Sequence, residues 1–174
     1  MQRTGHEFGV QQIPGMLTDY YDPRTKTMCL SQSSVQNSVA SVAVVAHEFG
    51  HAIQDVDGYM PMKLRSALVP MVKLGSWVGP LLFIAGLMLS VMNLAWAGII
   101  LFGATAVFAI VTLPVELNAS SRALNMLQSN GVLNAQEMPG AQAVLSAAAL
   151  TYCAAIAQSI GTILYYLSIM GRRR

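Results

Sequence analysis

The sequence predicts a mainly α, membrane-embedded protein, and three observations carry that prediction. The pentapeptide His47-Glu48-Phe49-Gly50-His51 lies inside a stretch of uninterrupted helical character. Only 10% of the 174 residues are charged, while 54% are hydrophobic. Between Gly75 and Gly171 the charged side chains are Glu116, Arg122 and Glu137 alone, whereas soluble surfaces carry about a quarter to a third charged residues. The expected elements are a small N-terminal β-hairpin, the H-E-x-x-H helix, a transmembrane helical hairpin, a glutamate-bearing helix and a C-terminal apolar helix.

Residues 1–32 are polar and turn-rich, punctuated by Gly15, Asp19, Asp22 and Pro23. Thr25 to Leu30 reads as a short strand, with Met16-Leu17-Thr18 as its hairpin partner. An edge strand beside a metal can hold a substrate backbone in extended form, so this hairpin is a candidate substrate platform; a purely structural hairpin fits the same residues. Residues 34–55 read as the H-E-x-x-H helix. Val39, Val42, Ala43 and Ala46 are apolar at helical spacing, Asn37 and Ser38 precede them, and no proline intervenes before Pro61. Asp55, Asp57 and Gly58 end that helix, and a linker with Lys63 and Arg65 follows. A second H-E pair, His6-Glu7-Phe8-Gly9, has no partner histidine and reads as coincidence.

Three stretches approach the roughly 20 apolar residues that a membrane crossing needs: Leu74 to Met92, Leu94 to Leu113, and Val144 to Met170. Asn93 separates the first two as a tight hairpin, with Trp96 and Trp77 as anchors at opposite interfaces. Gln158, Ser159 and Gly161 interrupt the third. Asn130-Gly131 reads as a helix stop and Pro139-Gly140 as a further turn. The expected division is 1–66, a soluble part with the metal-binding helix; 67–114, the transmembrane hairpin; 115–142, the glutamate-bearing helix and loop; and 143–174, the apolar helix and basic tail. Together these form one catalytic unit in a multi-pass membrane protein, with the lipid bilayer as a partner. Two crossings return the chain to the face that carries His47 and His51. Lys63, Arg65, Lys73 and Arg122 on that face place it in the cytoplasm by the positive-inside rule. Arg172-Arg173-Arg174 oppose this if the last segment crosses. Met1 to Val10 has neither an apolar core nor a cleavage site, so no signal peptide is expected. Cys29 and Cys153 form no CxxC pair, and a net charge of +2 without a basic, aromatic-interleaved patch argues against nucleic acid as a partner.

The chemistry rests on spacing. Positions i and i+4 of a helix lie one above the other, so His47 and His51 can offer two imidazoles to one metal ion. Glu48 then stands beside the metal, where a carboxylate can take a proton from a water molecule. Gly50 and Ala52 are small enough to let another backbone or a substrate strand approach that face. A catalytic zinc site has three protein ligands and an open position, and no histidine follows His51. A carboxylate is therefore the economical third ligand. Asp55 shares the helix face and would crowd one side of the ion, Asp57 lies just beyond, and Glu137 sits in a loop. Glu116 is the strongest candidate, an isolated ionisable residue at the end of an apolar segment. An interfacial pair between Glu116 and Arg122 is the bland alternative. Asn118 and Ser120 can support the ligands by hydrogen bonds.

With these residues assembled, the chain resembles the membrane-embedded neutral zinc metallopeptidases of bacteria (the YugP-like family). The matching stretches are Gly15 to Pro23 (GMLTDYYDP), Ala46 to Gln54 (AHEFGHAIQ), Tyr59 to Pro70 (YMPMKLRSALVP) and Leu113 to Leu124 (LPVELNASSRAL). The resemblance implies a zincin-like peptidase with His47, His51 and Glu116 as ligands of one zinc ion and Glu48 as catalyst. Its layout is also similar to HtpX-type and prenyl-protein zinc proteases, in which membrane helices separate the H-E-x-x-H helix from the helix that bears the glutamate. Two departures stand out. Family members usually begin with a membrane helix and further N-terminal residues, so a fragment or a shortened form is expected here. The HtpX-type motif also places an aspartate four residues after the ligand glutamate, where this chain has Ser120.

The expected function is a membrane-bound zinc peptidase that hydrolyses protein or peptide substrates, membrane proteins among them, through a zinc-activated water with Glu48 as general base. Tyr20, Tyr21 or Arg122 could supply a second donor to the oxyanion. The competing reading is a non-catalytic, zinc-stabilised membrane scaffold. A structural zinc would normally be closed by four protein ligands, and no fourth is apparent. A transporter would need polar groups within the membrane segments, which offer little beyond Ser90, Thr105, Thr112, Gln158 and Ser159.

Overall fold

The computed structural model describes residues 8–172; His6-Glu7 and Arg173-Arg174 lie outside the described residues. Three short strands, β1 (Gly9–Ile13), β2 (Tyr20–Asp22) and β3 (Thr27–Ser31), lead through a 3-10 turn (Gln32–Val35) to four helices. These are α1 (Val39–Val56), α2 (Met60–Met88), α3 (Met92–Ser129) and α4 (Met138–Gly171). The protein is thus mainly helical with a small N-terminal sheet. It forms two compact units, Met1–Tyr59 with Val115–Ala149 and Met60–Pro114 with Leu150–Arg174, whose boundaries fall inside α3 and α4.

In the first unit, α1 starts where Ser38 leaves the helical region at φ −144° and ψ 154° and its hydroxyl accepts the Ser41 N–H at 3.1 Å. It stops where Gly58 adopts φ +66°, which lets the Gly58 and Tyr59 N–H groups bond back to the Asp55 and Gln54 carbonyls. Its apolar face, Ala43 and Ala46, packs with Ala123 and Leu127 of α3, Leu133, and Ala141 and Leu145 of α4. These side chains are mostly small, so the backbones come close. A Cβ on Gly50 would lie 2.5 Å from the Ala119 carbonyl oxygen, which is the backbone approach expected at this residue.

The sheet has the order β1-β3-β2, with β1 parallel and β2 antiparallel to the central strand. The hairpin exists, but its first strand is Tyr20–Asp22 rather than Met16-Leu17-Thr18. Gly15 at φ +113° and Leu17 at φ +55° break the extended backbone before the pairing can begin. β1 is an additional strand. Phe8 meets Phe49 of α1 and Tyr21 of β2 edge-on at 5.7 and 6.1 Å. The Tyr21 hydroxyl donates to Asp55 at 2.8 Å, and Lys26 pairs with the same carboxylate. Sheet and helix end are thereby joined.

In the second unit, glycines bring α2 and α3 together. A Cβ on Gly75 would lie 2.5 Å from the Leu101 carbonyl oxygen, and one on Gly98 would lie 2.5 Å from the Phe83 nitrogen. Phe83, Ala95, Ile99 and Met170 form the core, and Phe83 stacks on Tyr166 with centroids 4.0 Å apart. The turn between α2 and α3 is at Leu89–Val91, where Ser90 takes φ +57°, so Asn93 is helical rather than the hinge. Three helices, α2, α3 and α4, are long and apolar enough to cross a membrane, with mean hydropathies of 1.6, 2.3 and 1.6. Thr105, Ser159 and Thr162 turn their hydroxyls onto carbonyls of their own helices, at 2.7, 2.8 and 2.9 Å, which satisfies them without water.

Three boundaries differ from expectation. The segment with Lys63 and Arg65 is the first part of α2, not a linker. The glutamate-bearing helix is continuous with the second apolar segment, because α3 runs through Pro114 to end at Ser129, one residue before the predicted stop at Asn130-Gly131. Pro139 lies in the first turn of α4, where a missing N–H is harmless, rather than in a separate turn.

Candidate functional site

Two helices of the first unit build the site. α1 presents His47 and His51 one turn apart, their rings edge-to-face with centroids 4.7 Å apart. α3 presents Glu116, and one carboxylate oxygen lies 3.0 Å from His47 Nε2 and 3.6 Å from His51 Nε2. All three residues are buried, with Glu116 only 4% exposed. Their ligand atoms lie within 4.8 Å of one another, so the cluster could hold a metal ion.

The surroundings decide which nitrogen of each imidazole is available. Gln54, fully buried on α1, donates its amide to the Val115 carbonyl at 2.8 Å and to Asn118 Oδ1 at 3.0 Å. Its carbonyl oxygen therefore faces His51 Nδ1 at 3.0 Å and can only accept. His51 Nδ1 thus faces an acceptor, while Nε2 lies toward Glu116. Ser120 meets His47 Nδ1 at 3.2 Å and supports that ring. Ser120 is the residue at the position where the HtpX-type motif carries aspartate.

Two imidazole nitrogens and one carboxylate, with the opposite ring nitrogens already engaged, match the donor set of a three-ligand zinc site. Burial by itself lowers the pKa of His51, but the hydrogen bond and charge of Glu116, with Glu48 and Gln54, outweigh it and leave the group raised.

Glu48 is 7% exposed, and among the described residues no group hydrogen-bonds its carboxylate. Burial pushes its pKa up; the nearby His51 and His47 oppose that, and Glu116 and Asp19 reinforce it. The other acids are engaged elsewhere. Asp55 holds Tyr21 and Lys26, Asp57 pairs with Arg122, and Glu137 accepts the Asn134 N–H. Arg122 also donates to Asn118 at 2.8 Å, so its guanidinium braces the helix contact. Of the three oxyanion candidates, Tyr21 and Arg122 are thus committed to carboxylates, and Tyr20 lies exposed on β2 opposite Cys29. Gln54 was not anticipated. Its signal in the sequence is a neutral polar residue three positions after His51, on the same helix face.

A relative from Bacillus subtilis (strain 168), named "Putative membrane protease YugP", is 42% identical over 165 residues, covering 94% of this chain and 73% of the relative. No solved structure matches the chain. The model of the family described as "Putative neutral zinc metallopeptidase" matches residues 2–171, and the chain belongs to that family.

Proposed function

We propose that this protein is a membrane-bound zinc peptidase in which His47, His51 and Glu116 hold one zinc ion and Glu48 is the general base. The observation that carries this reading is the buried cluster of His47, His51 and Glu116, whose ligand atoms lie within 4.8 Å of one another, on a helix that also carries Glu48, an acid without a hydrogen-bond partner among the described residues. A bound zinc ion would supply Lewis acidity, polarising a peptide carbonyl and lowering the pKa of water to about 7. Glu48 accepts the proton of the attacking water and returns it to the leaving amine. Gln54 and Ser120 hold the imidazoles in their metal-binding tautomers. β1 and β2 are edges of the small sheet, and an open edge suits an extended peptide. The substrates are peptides and proteins, membrane proteins among them, and the lysines and arginines flanking the apolar segments favour a cytoplasmic site.

The test is zinc content and peptide hydrolysis of the detergent-purified protein beside two variants. One zinc per chain is expected, lost in Glu116→Ala and retained in Glu48→Gln, with hydrolysis absent from both. Zinc retained without Glu116 would remove that ligand from the site, and undiminished hydrolysis by Glu48→Gln would remove the base.

A further inference from the structure

Every formal charge in the second unit is positive. Met60–Pro114 and Leu150–Arg174 contain Lys63, Arg65, Lys73 and the arginines at the chain end, and no aspartate or glutamate. Lys73 stands apart from the others. On α2 it is the one charged residue after Arg65, with uncharged stretches at 66–72 and 74–88 on either side. Its side chain is exposed, and among the described residues no carboxylate pairs with it. Ionisable residues in membrane helices are costly and normally face the bundle interior, where a protein group meets them. Lys73 faces outward instead.

The two faces of α2 are sharply different. Gly75, Gly79, Phe83 and Gly86 are buried, and the glycines let α3 approach. Lys73, Trp77, Leu81, Ile84 and Met88, at i, i+4, i+8, i+11 and i+15, share another face. All five are exposed, Trp77 by 79% and Met88 by 80%. A cation one turn from an indole, at the head of an apolar stripe, matches the parts of a phospholipid in order. The lysine stem can extend so that its ammonium reaches headgroup level, and an indole suits the region between headgroup and acyl chain. From Lys73 to Met88 the stripe runs about 22 Å, longer than the roughly 15 Å of hydrocarbon in one leaflet. An acidic peptide would satisfy the ammonium and leave the stripe bare, whereas an anionic lipid covers both.

We propose that Lys73 and Trp77 form a binding site for an anionic phospholipid, with the headgroup phosphate on the Lys73 ammonium and an acyl chain along Leu81, Ile84 and Met88. The phosphate supplies the counter-charge that the unit itself lacks. The site lies wholly on α2 and does not depend on the peptidase reading.

The experiment uses the full chain carrying Trp96→Phe, which leaves Trp77 as its one tryptophan. It is reconstituted in mixed bilayers of phosphatidylcholine and phosphatidylglycerol, in which one lipid at a time carries a nitroxide on the acyl chain near the glycerol. Quenching of Trp77 fluorescence then reports which lipid occupies the stripe. Labelled phosphatidylglycerol should compete for Trp77 about fivefold better than labelled phosphatidylcholine, the contribution of one lysine at an anionic surface. Lys73→Gln should bring the ratio to within roughly twofold, and Lys73→Arg should keep it. Lys63→Gln removes the same charge about 15 Å along the helix, beyond the Debye length of about 10 Å at 0.1 M salt, and should leave the ratio unchanged. Added glycerol phosphate, a headgroup without acyl chains, should not displace the lipid.

Equal competition by the two lipids overturns the proposal, as does a preference that survives in Lys73→Gln. A preference lost equally in Lys63→Gln would assign it to diffuse surface charge and refute the site. Displacement by glycerol phosphate would make the ligand a free phosphate rather than a lipid. Trp77 quenched by neither lipid would show the face covered by protein, which also defeats the proposal.

Discussion

Gly50→Ala tests how closely α1 and α3 must approach for the site to exist. The new Cβ would sit 2.5 Å from the Ala119 carbonyl oxygen and 3.1 Å from the Ala119 carbonyl carbon, both rigid backbone atoms. Relieving that contact to an ordinary distance requires the helices to part by roughly 1 Å. The separation of His47 Nε2 from Glu116 is now 3.0 Å, and a shift of that size would open it to roughly 4 Å. Overpacking of this kind costs about 1–3 kcal/mol. Replacing a helical glycine by alanine returns about 1 kcal/mol of helix propensity. The net expectation is roughly 0–2 kcal/mol of destabilisation, a fall in Tm of up to about 8 °C for a chain of this size. Zinc affinity should drop about 10–100-fold, the usual effect of misplacing a ligand. Thermal unfolding in detergent and zinc titration against a competing chelator read the two effects. A variant that melts higher than the parent and binds zinc equally well would refute the reasoning, because propensity alone would then describe the position.

Two further outcomes follow from the site. In the metal-free protein burial raises the pKa of Glu48 above its ordinary 4.5, so the folded state holds that proton more tightly than the unfolded chain. Its contribution is complete below the unfolded pKa and is lost as pH rises through the folded one. The Tm of the metal-free parent should therefore fall over that window and that of Glu48→Gln should fall less; parallel curves would exclude the effect. Gln54→Leu removes the acceptor that faces His51 Nδ1 and leaves the Val115 carbonyl without its amide donor, and zinc affinity should fall about 10–100-fold. Unchanged affinity, measured by chelator competition, would show that His51 needs no such partner.

The cluster of His47, His51 and Glu116, which could hold a metal ion, was legible because its members announce themselves locally. His47 and His51 repeat at a helical spacing, and Glu116 is a lone acid at the end of an apolar run. Their supporting residues were less legible, since the partners of Gln54 lie 61 and 64 positions away in the chain. The apolar helices were visible from composition, but their ends were not. Ser90 turns the chain with φ +57°, a conformation no glycine or asparagine flagged at that point. Pro139 suggested an interruption where it instead opens a helix, a role that φ near −65° suits. The strand pairing moved from Met16–Thr18 to Tyr20–Asp22 because Leu17 adopts a left-handed backbone, which side-chain patterning does not encode.

The choice of Gln54 and Ser120 as supports for the imidazoles has an electrical meaning. Both are neutral, whereas an acidic residue at either place would add a negative charge to a centre that already contains Glu116 and Glu48. A divalent ion set against those two carboxylates gives a centre of zero formal charge. Insertion of the ion into this buried pocket then leaves no uncompensated charge for the low-dielectric surroundings to oppose. In the proposed reaction, a proton accepted by Glu48 would leave the centre with one positive charge, which would offset an anionic oxygen beside it.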